Sequence, residues 1–265
     1  MTHAAESTHF YTRDGKPAYT VKAKAGHDRP TTLADARKLA LVPSVTTIIK
    51  CADRPGLNRW MLQQMMLSAL TATRREDETE VAFLQRIEQD SREQARKAAE
   101  RGTAIHAAIQ GMYEGQHPGP GELWHYCMGA DAVVSDWLKS MGQEVPEVQA
   151  ERSFAHVLGF GGKCDLSGTP NFVLDFKTKE FGPEDDLKVW EEHGMQLAAY
   201  RMGLGMEKAR CAIVYVSVTN PGLAKLIEIP EADLVKGWKC FHSLLQFWRA
   251  KTGYDSSFSP EAIAA

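Results

Sequence analysis

An acid and an amine stand two positions apart in segment 174–179, where Asp175 is followed by Phe176 and Lys177. Side chains of a strand alternate between its two faces, so we expect Asp175 and Lys177 on one face and Phe176 turned into the core. A carboxylate can hold a divalent cation, and an ammonium group can steady an attacking water or the charge of a transition state. This combination suits metal-assisted cleavage of a phosphodiester and makes the chain a nuclease candidate.

A second acid, Asp165, lies ten positions before Asp175. With a connecting loop over 167–171, Lys163 would face Asp175, and Asp165 would be a diagonal neighbour of Asp175 on the same face. Two carboxylates this close repel each other, and a divalent cation removes that penalty. The alternative is a surface salt bridge of Asp175 with Lys163 or Lys177, which is the commoner interpretation of an isolated Asp-x-Lys strand.

Three further side chains could complete such a site. His106 falls within a predicted helix, and its imidazole could ligate the same metal. Gln196 and Tyr200 are four residues apart on the helix after segment 174–179, so they share a face and can point back across the sheet. Taken singly, each has a plainer interpretation: a packed or solvent-facing histidine, and an amphipathic helix whose tyrosine carries a polar end.

The chain before residue 146 is predicted to be mostly helical. Asp14-Gly15 suits a tight turn and predicts a hairpin over 10–21, in which Pro17 indicates an edge strand. Ser44 is a suitable N-cap for a short helix. Gly102 interrupts a long helical pattern and indicates the close approach of another backbone or a ligand. The other predicted helices cover 32–40, 57–70, 76–113 and 124–141.

The second half is predicted to combine strands with two helices. In its first strand, alternation places Val148, Ala150 and Phe154 on one side and Glu151 on the other. The predicted strands are 148–154, 161–166, 172–178, 211–218 and 223–229, the first three as a meander; the predicted helices are 187–202 and one with an apolar stripe over 234–248.

Five short motifs, taken in order, are more specific than any one of them. They are G-T-x-x-H at 102–106, E-R-S-F at 151–154, G-K-C-D at 162–165, D-F-K-T at 175–178 and Q-x-x-x-Y at 196–200. This order resembles the PD-(D/E)XK nuclease superfamily, and within it the RecB-type exonucleases, a branch that also includes phage exonucleases and the mitochondrial genome maintenance exonuclease. The resemblance covers roughly residues 43–230.

The resemblance implies an α/β fold with a restriction-endonuclease-like core, in which helices flank a mixed sheet of about five strands. It implies that His106, Asp165 and Asp175 bind Mg²⁺ or Mn²⁺. The carbonyl of Phe176 would join them as a ligand, and Lys177 would be catalytic. The implied domains are an N-terminal hairpin and extension over 1–42, a nuclease domain over 43–250 with a helical part over 43–145 and a sheet core over 146–230, and a flexible tail over 251–265.

The same resemblance assigns Gln196 and Tyr200 to orienting the site or touching the DNA backbone. Glu151 could bind a second metal, support the other ligands or face solvent, and these alternatives stay open. The implied activity is metal-dependent exonucleolytic cleavage of DNA in recombination, repair or phage DNA processing. A structure-specific endonuclease and a non-catalytic protein that binds DNA ends are the alternatives.

Four basic residues are candidates for contacts with DNA phosphates: Arg92, Arg96, Arg101 and Lys179. The three arginines lie in or near the C-terminal half of the helical stretch 76–113, on the side of the predicted ligand His106. The alternative is a solvated helix face on which they pair with neighbouring glutamates.

Composition limits the partners and the compartment. The 265 residues carry a formal net charge of −3, so any contact with DNA must come from a local groove. Five scattered cysteines without a C-x-x-C pair argue against disulfides, a zinc site and an iron–sulfur cluster. No apolar leader or membrane-length segment is found, and a cytoplasmic protein of a bacterium or a phage-infected cell is expected. DNA is the expected partner, with a recombination or single-strand-binding protein as a further one, and the number of subunits stays open.

Overall fold

Helices fill most of the first half of the chain and strands most of the second, in a computed structural model that describes residues 9–53, 55–142, 147–169 and 171–258. Parts of the expected N-terminal extension (1–8), of the expected boundary between helical part and sheet core (143–146) and of the expected tail (259–265) lie outside the described residues. In chain order the elements are β1 (Phe10–Tyr11), β2 (Thr20–Lys22), β3 (Asp28–Pro30), α1 (Leu33–Leu39), β4 (Val42–Pro43), α2 (Val45–Ile49), α3 (Pro55–Thr71), α4 (Glu80–Tyr113), α5 (Glu122–Ser140), β5 (Glu147–His156), β6 (Phe160–Thr169), β7 (Phe172–Lys179), α6 (Glu191–Gly203), β8 (Arg210–Ser217), β9 (Ala224–Ile229) and α7 (Glu231–Thr252).

Strands β5 to β9 form one mixed sheet in sequence order. β7 and β8 run parallel, while the other neighbouring pairs run antiparallel. On one face Phe176 packs in a core with Tyr126 of α5. On the other face Val173 packs in a core with Leu197 of α6, to which α7 also contributes. The predicted α/β fold, a mixed sheet of five strands flanked by helices as in a restriction-endonuclease-like core, is confirmed.

The pairing of β6 with β7 is shifted by two residues from the predicted register. Leu166 pairs with Leu174, and β6 runs on to Thr169 through the expected loop. Gly168 allows this, because a Cβ at this position would lie 1.8 Å from the carbonyl oxygen of Glu147 on β5. Glycine therefore keeps β6 against β5 where turn-forming residues predict a loop.

The shift changes which residues face each other across β6 and β7. Lys163 was expected opposite Asp175, and this prediction is wrong. The observed register, continued by one residue beyond its last pair, sets Asp165 opposite Asp175 rather than diagonal to it. A slip of two residues keeps every side chain on its own face, so the two acids still lie side by side.

The alternation of side chains along strand β5 is interrupted at Glu151, whose φ is 54°. Equivalent positions before and after this residue therefore lie on opposite faces of the sheet. Val148 and Ala150 pack against the core under α5, whereas Phe154 lies in the core under α6 and α7. The predicted placement of these three side chains on one side is therefore wrong. A left-handed residue interrupts the two-residue alternation on which that prediction rested.

The predicted hairpin over 10–21 is confirmed at its turn and along residues 10–18, but not beyond them. The backbone N–H of Gly15 donates to the carbonyl of Thr12 at 3.0 Å, and that of Ala18 donates to the carbonyl of Phe10 at 2.9 Å. Tyr11 bridges Pro17, which has no backbone N–H to donate. From Thr20 onward the chain pairs elsewhere, since β2 pairs with β3, while β1 pairs with β4.

Most helix predictions are confirmed. Ser44 caps α2 by accepting the backbone N–H of Thr47 at 3.0 Å. The long stretch that was predicted over 76–113 is one continuous helix, α4, and Gly102 lies within it. Among the described helices, none combines the length and the apolar character needed to cross a bilayer.

Helix α6 begins four residues later than predicted, at Glu191. Side chains of β8 hold the preceding segment in an irregular path: Ser217 Oγ donates to the carbonyl of Phe181 at 2.6 Å, and the Tyr215 hydroxyl donates to the carbonyl of Lys188 at 3.2 Å. The carbonyls of Phe181 and Lys188 thus accept hydrogen bonds from side chains of the sheet and not from backbone N–H groups of a helix.

The described part of the expected flexible tail is packed against the domain. Lys251 and Thr252 end α7, and the Tyr254 hydroxyl then donates to the carbonyl of Leu41 at 2.7 Å. Ser256 is fully buried and donates to the carbonyl of Gly159 at 2.6 Å. The described residues of the expected tail, up to residue 258, are therefore in contact with the domain, and the flexibility of 251–265 stays a prediction.

Candidate active site

Asp175 is a buried acid in the middle of the sheet, with 3% of its surface exposed. The side-chain amide of Gln196 donates to its Oδ1 at 2.9 Å. The Lys177 ammonium lies 2.5 Å from its Oδ2, as an ion pair without a well-directed hydrogen bond. The structure thus brings the predicted acid and amine together on one face, as strand alternation requires.

Helix α6 supplies the polar cover over Asp175. Gln196 and Tyr200 share a face, and the Gln196 amide also donates to the Tyr200 hydroxyl at 2.9 Å. Burial, followed by the charge of Asp175, raises the pKa of Tyr200 well above its ordinary value, so this hydroxyl stays neutral. Gly162 makes room for the ring, because a Cβ there would lie 2.9 Å from Tyr200 Cε1. The glycine of the G-K-C-D motif is thereby explained by close packing.

Asp165 lies where β6 parts from β7. Its Oδ2 accepts the backbone N–H of Phe176 at 2.7 Å, so a side chain takes the place of a ladder partner. Burial, and then the neighbouring charge of Asp175, raise the pKa of Asp165 to about 7. Two acids that face each other in a poorly hydrated place cannot both ionise without cost.

His106 reaches the same place from α4. A Cβ on Gly102 would lie 2.8 Å from Thr178 Oγ1, so the glycine lets α4 press against the end of β7. One turn later, His106 Nδ1 lies 3.7 Å from Asp165 Oδ2, and the ring meets Phe176 edge to face. Burial lowers the pKa of His106, which favours the neutral imidazole that can act as a ligand.

Within the described ranges, no group of three or more His, Cys, Asp or Glu side chains is already drawn together tightly enough to enclose a metal ion. The predicted ligands form a looser set, in which His106 adjoins Asp165 and Asp165 adjoins Asp175. Phe176 directly follows Asp175 in the chain, and the role of its carbonyl as a ligand stays a prediction. Its backbone N–H is already donated to Asp165.

Glu151 forms an ion pair with Lys163 across β5 and β6. Both side chains are half-buried. The sequence suggested Lys163 as a partner of Asp175, whereas the structure pairs it with Glu151. Nothing in the sequence pattern indicates this contact or the left-handed backbone of Glu151.

The basic residues that were predicted to contact DNA form ion pairs with acidic side chains or are exposed at the surface. Arg92 pairs with Glu88 at 2.6 Å, and Arg96 pairs with Glu93 and Glu100. These contacts match the alternative of a solvated helix face, and the role of both arginines in DNA binding stays a prediction.

Arg101 and Lys179 lie nearer to the site than the other two. Arg101 donates to the Tyr126 hydroxyl and to Glu122, each at 2.7 Å. Lys179 is exposed at the end of β7. Their contact with phosphates also stays a prediction.

Sequence reasoning missed a polar pair beside Lys177. Tyr215 is the neighbour of Lys177 in the parallel ladder of β7 and β8, and its hydroxyl lies 3.2 Å from His193 Nδ1. Burial, and then Asp175, raise the pKa of Tyr215 to about 12. A signal was present, because His193 precedes Gln196 by three residues and so shares its face of α6.

No protein-family model matches this chain, and no curated protein is significantly similar to it in sequence. Similar solved structures include a candidate exonuclease from Eubacterium rectale, with 13% identity, coverage of 57% of this chain and 68% of that chain, and a TM-score of 0.38. An alkaline exonuclease from Laribacter hongkongensis has 10% identity, coverage of 79% and 92%, and a TM-score of 0.32. Likeness of this degree carries no functional argument, so the activity has to be argued from the site.

Replacing Gly162 with alanine should destabilise the protein by about 1–3 kcal/mol, because the new Cβ would meet two buried rings, those of Phe154 and Tyr200. The matched control is Gly194→Ala on α6, where a Cβ meets nothing within 4 Å and alanine favours the helix by about 0.5–1 kcal/mol. Urea unfolding of both variants measures the two effects. Equal stability of the two variants would contradict the packing role of Gly162.

Proposed function

We propose that this protein is a metal-dependent nuclease that hydrolyses phosphodiester bonds of DNA, working from DNA ends. The single observation that carries the proposal is the buried Asp175 carboxylate, which meets an ammonium group at one oxygen and an amide at the other, with a second acid on the next strand. This arrangement concentrates negative charge in a place that can be reached along the Lys177 side chain, of which 29% is exposed.

A purely structural ion pair would account for Asp175 and Lys177 but not for Asp165. Burial beside Asp175 raises the pKa of Asp165 to about 7, so this acid makes the folded state less stable whenever both are charged. Acids that are perturbed by burial together with a specific charged neighbour cluster at functional sites. We therefore assign the pair to the binding of a cation.

The proposed ligands of Mg²⁺ or Mn²⁺ are His106, Asp165, Asp175 and the carbonyl of Phe176. Oxygen donors with one imidazole suit these ions, and two observations support the fit. Asp175 Oδ2 is buried and, within the described residues, accepts no well-directed hydrogen bond. Burial lowers the pKa of His106, which favours the neutral imidazole that can bind a metal ion. Such an ion, when bound, would lower the pKa of a water molecule and neutralise charge on the phosphate oxygens.

The chain's own residues would hold and polarise the substrate. Gln196 fixes the orientation of Asp175, and the Lys177 ammonium, beside that acid, would stabilise the negative charge that builds on the phosphate. Water adds to phosphorus, the bond from phosphorus to the 3′-oxygen breaks, and a proton passes to that oxygen. The products are a 5′-phosphate and a 3′-hydroxyl. The preference for DNA ends is supported by the resemblance of the five ordered motifs to RecB-type exonucleases.

Asp175→Ala and Lys177→Ala should each lower the rate of DNA hydrolysis with Mg²⁺ at least about a hundredfold, because each removes charge that is needed in the transition state. The measurement is release of acid-soluble nucleotides from linear DNA. The matched control is the pair Asp28→Ala and Lys22→Ala, an exposed ion pair of 2.9 Å on β2 and β3. Full activity in Asp175→Ala or Lys177→Ala, with folding verified by circular dichroism, would refute the proposed site.

The requirement for ends can be tested with one DNA in two forms. We expect degradation of the linear plasmid and no change in the same plasmid as a covalently closed circle, because an exonuclease needs a terminus. Gel electrophoresis with end-labelled DNA measures both outcomes. Nicking of the circle at the rate of linear degradation would indicate an endonuclease at the same site.

Mn²⁺ should raise the melting temperature of the protein, with about 2.7 kcal/mol of added stability at a concentration one hundred times the dissociation constant. Asp165→Asn should lose this shift. Without metal, the variant should be at least as stable as the wild type, because asparagine keeps an acceptor for the Phe176 N–H and removes the repulsion from Asp175. Differential scanning calorimetry measures both. An undiminished Mn²⁺ shift in the variant would exclude Asp165 as a ligand.

A further inference from the structure

Glu151 adopts a backbone conformation that glutamate normally avoids. Its φ of 54° is left-handed, and the other non-glycine residue with positive φ in the described part of the chain is Ala40, which ends a helix. Glu151 lies instead within a strand, between the pairs Ala150–Leu166 and Arg152–Cys164. Residues held in this region persist only where the surroundings fix them, and they gather at functional sites.

Lys163 is the group that holds Glu151. Lys163 faces Ser153 in the ladder of β5 and β6, so Glu151 is its diagonal neighbour, and the two form an ion pair. The side chain of Glu151 is 20% exposed and that of Lys163 is 34% exposed. The glutamate is thus mostly covered, while the ammonium group retains access to solvent.

The ion pair of Glu151 and Lys163 borders the candidate active site. Because Ala150 pairs with Leu166 and Arg152 pairs with Cys164, Glu151 stands opposite Asp165 in the ladder of β5 and β6. Lys163 precedes Asp165 by two residues on β6. The two acids are therefore flanked by two lysines, with Lys177 beside Asp175 on β7 and Lys163 near Asp165 on β6.

We propose that Lys163, positioned by Glu151, binds the DNA phosphate that neighbours the one being cleaved. This inference rests on the proposed nuclease function and deepens it. An ammonium group has three N–H donors, so Lys163 can keep its bond to Glu151 and still donate to a phosphate oxygen. Lys177 serves the cleaved phosphate, since it pairs with Asp175. Glu151 is a positioning residue, which acts through Lys163 and is not a ligand of the metal.

Two substrates separate the neighbouring phosphate from the cleaved one. A DNA oligonucleotide has both, whereas the p-nitrophenyl ester of thymidine 5′-phosphate has only the phosphodiester that is hydrolysed. With Mn²⁺, Lys163→Gln should raise KM for the oligonucleotide about tenfold, leave kcat within about twofold, and leave hydrolysis of the ester unchanged. The slope of log KM against log salt concentration should decrease by about 0.7–0.9, which corresponds to the loss of one phosphate contact. Lys22→Gln, which breaks the exposed pair with Asp28, is the matched control and should change none of these values.

Three further variants test the link to Glu151. Lys163→Arg should restore KM, because arginine keeps the charge. Glu151→Gln should raise KM less than Lys163→Gln does, and the double variant Glu151→Gln/Lys163→Gln should be no worse than Lys163→Gln alone, because Glu151 acts through Lys163. Fluorescence anisotropy of labelled oligonucleotide with Ca²⁺ gives the same comparison without turnover.

The possible results separate the two levels of the proposal. An active wild type whose Lys163→Gln variant handles both substrates normally shows a structural ion pair only, and overturns the inference. Equal loss on oligonucleotide and ester also overturns it, because Lys163 would then act on the cleaved phosphate or on folding. A wild type that hydrolyses neither substrate with Mg²⁺ or Mn²⁺ overturns the proposed function itself.

Discussion

The mutual repulsion of Asp165 and Asp175 is the constraint around which this molecule is arranged. Burial strengthens that repulsion, since few water molecules are present to screen it. Three neighbouring groups offset it with a positive charge or an N–H donor: Lys177 and the Gln196 amide at Asp175, and the Phe176 backbone N–H at Asp165. Donors from β7 and α6 therefore converge on one small volume.

The sheet provides that volume because strands β6 and β7 pair over only part of their length. β6 and β7 stop exchanging backbone hydrogen bonds beyond Leu166 and Leu174, and the chemistry is concentrated at the opening. α4 and α6 arrive there from different parts of the chain, and each depends on a glycine for its approach, Gly102 against Thr178 and Gly162 against Tyr200. The open end of the β6–β7 ladder therefore forms the site, and the absence of side chains at the two glycines lets the neighbouring groups pack closely around it.

Local spacing made much of this predictable. The strand period placed Asp175 beside Lys177, the helix period placed Gln196 beside Tyr200, and the sequence of apolar segments predicted five strands. What failed depended on contacts between distant segments. Turn-forming residues predicted a loop where Gly168 packs against Glu147, and no local pattern reveals a left-handed Glu151. The role of the helix surface around Arg96 was ambiguous in the sequence, because its arginine can pair either with the neighbouring glutamates or with a DNA phosphate.

Helix α4 holds His106 by its buried part. Its 34 residues extend about 51 Å at 1.5 Å per residue, and Gly102, which contacts β7, lies about two thirds of the way along. His106 follows four residues later, in the stretch where Ile105 and Ile109 are buried in the core. The opposite end, which begins at Glu80, packs with the exposed, methionine-rich α3. The imidazole is therefore positioned by core packing about 39 Å along the helix from the surface where α4 begins.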